Sequence, residues 1–258
     1  MLGPNVIRAP QRFAASPDPV QLVLRRKRWP DPVTFGLYSP AFGGVWRSVL
    51  YAAWVQAAQR VRVRIYSQWH GLPWKNFSRK PLQNRAPLIR EILGVLDTVE
   101  PIEVVEEAPL KQVVSPVGVL PFHFPCPHTK VRWKGWNGRE FHRIAYQIDG
   151  GFKGAEKNPK PVDRPVLRSF VSGYRWIRLG KHLSVRECVN EAASCDLFFG
   201  VDSGMQQLCY AVGVPVFLLP YKQDPFILHN WHGDRHAILC RNTGDFVYKA
   251  RRFLGLRA

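Results

Sequence analysis

The sequence predicts an α/β protein, a compact pair of Rossmann-like halves facing a cleft. Three observations predict it. Residues 195–220 (CDLFFGVDSGMQQLCYAVGVPVFLLP) hold two short apolar runs without helical period, Asp196–Val201 and Val214–Leu219, joined by a polar turn and a helical stretch. That is the strand, turn, helix, strand unit of a parallel sheet. A second such unit begins at Val33, and a Pro-, His- and Trp-dense stretch, 121–138, separates the two.

The chain has 258 residues, enough for one large or two small domains with cores of their own. Its 37 Lys and Arg against 19 Asp and Glu leave a net charge of +18, which points to a polyanionic partner, nucleic acid or an anionic glycolipid. The five cysteines are unpaired in spacing and three lie in apolar segments, as reduced thiols of a cytoplasmic protein would. No run of about 18 apolar residues marks a membrane span, and the N-terminus lacks a signal-peptide core.

Residues 1–32 read as a Pro- and Arg-rich arm. Arg25 and Arg26, followed by Lys27, Arg28 and Trp29, suit a phosphate backbone and a stacked base, or equally a solvated tail. The first half, 33–125, starts with strand Val33–Tyr38 and a turn containing Gly43 and Gly44. A helix Val45–Arg60 follows, with Val49, Leu50, Ala53, Trp54 and Ala57 at helical spacing. Alternation over Val61–Tyr66 predicts an exposed or edge strand with a basic face. Beyond it lie a basic, Trp-rich loop, a helix Pro87–Asp97, a strand Ile102–Val105 and apolar stretches at Val113–Leu120. Arg47, Trp69, Trp74 and Lys75 are the candidates for holding a polyanionic acceptor, with Gly43 and Gly44 at the mouth of the cleft.

Residues 126–141 are assigned as the linker. Cys126 and His128 lack a second ligand pair, so no metal site is assigned there. The second half, 142–258, opens with strand Arg143–Ile148 and the loop Asp149–Gly154, where Gly151 admits a phosphate to the backbone and Lys153 or Lys157 neutralises it, unless the loop is simply a basic surface. A helix Arg164–Val171, a strand Trp176–Leu179 and a loop with His182 follow. Ser184 and Glu187 form a capping box for a helix Val185–Ala193. In the central unit Asp202 or Ser203 caps the helix Met205–Val212 and Gly204 permits close approach of an anion to free N–H groups, though such a capped turn also occurs in α/β folds without a ligand. A strand Ala237–Cys240 and a helix Asp245–Leu254 end the chain. His229, His232 and His236 are interrupted by Gly233 and Asp234, so they read as a polar cleft lining rather than zinc ligands.

The order Asp202-Ser203-Gly204, Met205, Gln206, then Leu208, Ala211, Gly213 and Pro215 resembles the C-terminal stretch of heptosyltransferase-like glycosyltransferases of the two-domain GT-B class. Met205 follows Gly204 directly here, and Gln206 or Gln207 stands where the family has His. The resemblance implies a nucleotide-sugar donor, no further cofactor and no metal. It implies donor contacts at Asp202, Ser203, Gly204, Met205 and Gln206, at Lys153 or Lys157, and a ribose or base near His182. The family's first glycine loop ends in Gly-Asp, the acid being the base; here Val45-Trp46-Arg47 follows Gly44, which leaves Asp97, His70 and His123 as candidates. With the charge of +18, the expected activity is sugar transfer to a hydroxyl on a polyanion, favoured as a hydroxymethylated base in flipped-out DNA. Two alternatives remain: a lipopolysaccharide-core acceptor, and a binding module for nucleic acid or glycan that has lost its chemistry.

Overall fold

A computed structural model describes residues 29–69, 83–109, 112–114, 128–135, 142–148, 174–180, 182–201, 203–219 and 237–255. The first half contains β1 (Val33–Phe35), α1 (Phe42–Gln59), β2 (Val63–Tyr66), α2 (Ala86–Val95), β5 (Glu103–Val105) and β6 (Val113–Val114). A short antiparallel ribbon, β3 (Gln68–Trp69) with β4 (Gln83–Asn84), leaves it between β2 and α2. The second half contains β7 (His142–Gln147), β8 (Tyr174–Arg178), α3 (Val185–Ala193), β9 (Leu197–Val201), α4 (Gly204–Val212), β10 (Val216–Leu219), β11 (Ala237–Leu239) and α5 (Thr243–Phe253). The loop 149–154 and the helix expected over 164–171 lie outside the described residues.

Every strand pair in the two main sheets is parallel. The first sheet runs β5-β2-β1-β6 and the second β11-β10-β9-β7-β8. Central strands of such sheets are covered on both faces, which explains the unbroken apolar runs LFFGV and VFLL, buried at every position. On one face of the second sheet α5 packs Phe246, Ala250 and Leu254 against Phe199, Phe217 and Ile144, with Phe199 and Phe246 stacked 3.9 Å apart.

Helices α1 and α2 face α3 and α4 between the two sheets. One continuous core runs from Val33 and Phe35 through Trp46, Val49 and Leu50 of α1 to Leu208, Cys209 and Val212 of α4, and on to Val216. Residues 128–135 fasten the same joint at its other end. Lys130 donates its N–H to the Val95 carbonyl (2.9 Å), Thr129 to Ala211 (3.1 Å) and Trp133 to Val212 (3.0 Å), while the Trp133 indole N–H bonds the Cys195 carbonyl at 2.9 Å. The described part of the expected hinge region is thus pinned to both halves.

Two local expectations need correction. Strand β2 is not an edge: it lies between β1 and β5, and Arg64 on its basic side meets Glu103, its register partner on β5, at 2.6 Å. The first helix starts at Phe42 rather than Val45, with Gly43 and Gly44 inside its first turn. Glycine is no obstacle there, since the first N–H groups of a helix have no intrahelical partner to lose. Gly44 is demanded by packing: a Cβ would lie 2.9 Å from the Ser39 nitrogen.

Candidate functional site

The strand orders locate the site before any side chain is considered. Numbering strands within each half, the first sheet reads 3-2-1-4 and the second, from its β8 edge, 2-1-3-4-5. In both, the order reverses beside the first strand, between β1 and β6 and between β7 and β9. Ligands of open parallel sheets bind outside the carboxyl ends at such switch points, where the connections diverge and leave a crevice.

From β1 the chain passes through Gly36 to Tyr38 and into α1; from β9 it passes to Ser203 and into α4. Ser48 Oγ holds the first connection, accepting the Tyr38 N–H (2.8 Å) and donating to the Gly44 carbonyl (2.8 Å). In the second, Ser203 is extended (φ −155°, ψ 170°) and its Oγ accepts the Gln206 N–H at 3.3 Å. The two helix starts touch. A Cβ on Gly43 would lie 3.1 Å from the Gly204 nitrogen, and one on Gly204 would lie 2.8 Å from the Gly43 Cα and overlap the Phe42 ring.

Each helix carries about half a positive charge at its N-terminus, from N–H dipoles that point outward. Neither helix has an acidic residue in its first turn, and Ala41 gives α1 no side-chain cap. Two half charges about 4 Å apart at an effective dielectric of about 20 repel by about 1 kcal/mol, which an anion at their junction would reverse. Phe42, Gly43, Ser203 and Gly204 are half-buried, so the junction is open to solvent on one side. Tyr38, 41% exposed, stands beside it with the Arg47 guanidinium 5.4 Å from its ring centre.

Gln206, at the third helical position of α4, is fully buried with neither amide atom hydrogen-bonded. An unmet buried amide costs about 1–3 kcal/mol and asks for an explanation, such as a ligand it serves. Met205 is 6% exposed and packs in the shared core.

Other candidates are not brought here. Asp97 is exposed and paired with Arg132 at 2.9 Å, and its N–H bonds the His128 carbonyl. That segment reaches α4 at Ala211, and a helix of nine residues is roughly 12 Å long, so Asp97 belongs to the end remote from Gly204. It is withdrawn as a base. Trp69 is 6% exposed within the core, so it offers no face to an acceptor. Gly44 is buried under Ser39 and offers no contact either. His182 is exposed in the turn before α3, where its charge helps hold Glu187 low, behind the hydrogen bonds from Ser184. Arg25, Arg26, His70, Trp74, Lys75, His123, Cys126, Gly151, Lys153, Lys157, Asp202, His229, His232 and His236 lie outside the described residues.

Sequence reading missed Phe42 and Ser48. Phe42 stacks on Trp46 (5.8 Å) and forms the floor under Gly204. Its place within the turn-like stretch Pro40–Gly44 hid its role. Among the described residues no three His, Cys, Asp or Glu side chains are grouped as metal ligands, and no helix is long and apolar enough to cross a membrane. Cys188, Cys195, Cys209 and Cys240 are buried free thiols, and burial pushes Cys195 and Cys240 up to about 12 and Cys209 well above its ordinary value.

No family model matches the chain, and no curated protein matches it. It is structurally similar to solved heptosyltransferase and glycosyltransferase chains. The iron-containing, dodecameric heptosyltransferase TibC in complex with ADP-D-beta-D-heptose superimposes at a TM-score of 0.45 and 13% identity, over 74% of this chain and 59% of that one. The iron-containing dodecameric glycosyltransferase TibC from enterotoxigenic E. coli H10407 gives 0.46 and 16%, over 74% and 61%. The glycosyl transferase family 9 protein from Veillonella parvula DSM 2008 gives 0.48 and 12%, over 89% and 91%. The chain thus spans about three fifths of the length of the TibC chains.

Proposed function

We propose that this protein is a GT-B-type glycosyltransferase that seats the diphosphate of a nucleotide sugar at the junction of α1 and α4. The observation that carries the reading is the contact between two helix N-termini, at two switch points, with no acid in either first turn. A diphosphate is the ligand whose charge such a junction lacks, and its charge grows as the sugar leaves, so fixed N–H dipoles favour the transition state over the ground state. Lys153 or Lys157, with Gly151, would add neutralisation from the β7–β8 connection, and Asp202 would flank the helix start. Gln206 would serve where the resembled family has His. A base for the acceptor hydroxyl would come from His70 or His123, and the metal-free mechanism and reduced, cytoplasmic setting implied by the sequence belong to this proposal.

For the acceptor, the net charge of +18 favours a polyanion. Hydroxymethylated DNA is the proposed substrate, with a lipopolysaccharide core as the alternative. Arg47 beside the junction and Arg25, Arg26, Trp74 and Lys75 elsewhere would contact it. The hydrophobic Val45-Trp46 where the family has its acid favours one further reading, a binding module without turnover.

The test begins with melting temperature in ADP, GDP, UDP and CDP. At 100 times Kd a ligand confined to the folded form adds about 2.7 kcal/mol, a rise of about 5–10 °C for a chain of this size. Release of free nucleotide from the matching nucleotide sugars is then followed with hydroxymethylated DNA or lipopolysaccharide core. Absence of a thermal shift with all four nucleotides rejects the donor site; a shift without turnover on either acceptor, together with salt-sensitive DNA binding, selects the binding module.

A further inference from the structure

Gln147 ends β7, at the carboxyl edge of the second switch point. Its side-chain Oε1 is buried and has no hydrogen-bond partner. A glycine lies beside this residue on each side. Gly200 on β9 is its register partner, and a Cβ there would run into the Gln147 carbonyl oxygen. Gly180, just past β8 with φ +149°, has the Gln147 Nε2 as the nearest atom to its missing Cβ, at 3.8 Å. The side-chain amide therefore stands beside Gly180, and the Gln147 main-chain carbonyl against Gly200, next to the proposed donor crevice.

We infer that Gln147 is a specificity residue that accepts a hydrogen bond from a ribose hydroxyl of the donor nucleotide. The inference rests on the donor-site reading above. An amide oxygen is an acceptor only and repels a phosphate oxygen, so the unmet Oε1, as distinct from the Nε2 donors of the same amide, is no partner for the diphosphate. The donors of a nucleoside diphosphate are its ribose O–H and base N–H groups. Strands β7 and β9 are one sheet spacing apart, about 4.8 Å, the span from a phosphate seated after β9 to the attached ribose rather than to the far edge of a base.

The test uses calorimetric titration of the full chain with ADP, GDP, UDP and CDP, then with the 2′-deoxy and 3′-deoxy analogues of whichever binds. Loss of one hydroxyl should weaken binding to the wild type about 5–10-fold. Gln147→Leu should weaken the ribonucleotide by a similar factor and no longer distinguish it from the deoxy analogue, with an unchanged or higher melting temperature, since an unmet buried oxygen is gone. Gln147→Met, which keeps the length without the amide, gives the same readout should the leucine variant fold poorly. Folded variants that still discriminate overturn the role of Gln147 while leaving the donor site standing. If no nucleoside diphosphate binds the wild type, both fall together.

Discussion

Gly204→Ala tests the junction on which the site depends. The new Cβ would lie 2.8 Å from both the Cα and the nitrogen of Gly43 and would overlap the Phe42 ring. The phenyl ring can rotate away; the Gly43 backbone cannot move without shifting α1, which is buried on nearly every side over Gly44–Gln56. Overpacking of this type costs about 1–3 kcal/mol, against up to about 1 kcal/mol gained because alanine loses less backbone freedom than glycine in a helix. With the full gain subtracted the net is a loss of about 0–2 kcal/mol, or up to roughly 8 °C in Tm for a chain of this length. Gly43→Ala should cost less, because its Cβ would meet Gly204 at 3.1–3.2 Å and a few tenths of an ångström suffice. Gly94→Ala is the control: Gly94 is exposed inside α2 with nothing within 4 Å, and alanine there should stabilise by about 0.5–1 kcal/mol. Thermal and urea denaturation of the three variants should give that order. A Gly204→Ala protein as stable as Gly94→Ala would refute the contact and the argument from two abutting helix starts.

Ser184→Ala removes the side-chain half of a capping box, in which Ser184 Oγ accepts the Glu187 N–H at 3.2 Å, and leaves the main-chain half, in which the Glu187 carboxylate accepts the N–H of residue 184 at 2.7 Å. A drop of about 2–4 °C in Tm is expected. The Ser184 N–H, followed by its hydroxyl, holds the Glu187 carboxyl below its ordinary 4.5, so its contribution is complete above pH 4.5 and is lost as pH falls through the lowered value. Ser184→Ala keeps the N–H bond and loses only the hydroxyl's, so stability of the wild type should decline slightly more steeply below pH 4.5 than that of the variant, read by urea titration at each pH. Burial raises the thiols of Cys188, Cys195, Cys209 and Cys240 above 9.0, which leaves them neutral and shielded in the native protein. A disulfide reagent at pH 8 should spare these four until denaturant is added. The favourable contribution of their neutral forms is full below pH 9.0 and declines as pH rises toward about 12, so stability should fall with alkali above pH 9.0.

Local pattern carried most elements and little of their arrangement. The runs that became β9 and β10, and the helix Val185–Ala193 with its box, were legible because apolar continuity and a Ser-x-x-Glu spacing act within a few residues. Strand β2 was misread because the acid that answers Arg64 is Glu103, 39 residues further on. Trp69 looked like a surface stacker from its basic surroundings, yet it packs in the core. The switch points were hidden for the same reason as Glu103: β6 returning beside β1, and β9 settling beside β7 rather than β8, are non-local pairings that no window of sequence records. Asp97 lies away from the junction because the end of a helix on which it falls is decided by packing, here by residues 128–133 tying α2 to the far end of α4.

The joint also constrains how a ligand would reach the proposed site. All residues of α4 from Met205 to Val212 are buried, in a core that both halves supply. Even half a dozen large side chains there, at about 1.5–3 kcal/mol each, resist separation of the halves by roughly 10 kcal/mol or more. A donor that had to part α1 from α4 would forfeit an amount comparable with micromolar binding itself, about 8 kcal/mol. A donor at the proposed site would therefore enter by the half-open side past Tyr38, Phe42 and Ser203, with the helices left in contact. The glycines at 43 and 204 then act together: they let two helix starts approach closely, and in the proposed site they would hold that geometry before an anion arrives, so little reorganisation would accompany its binding.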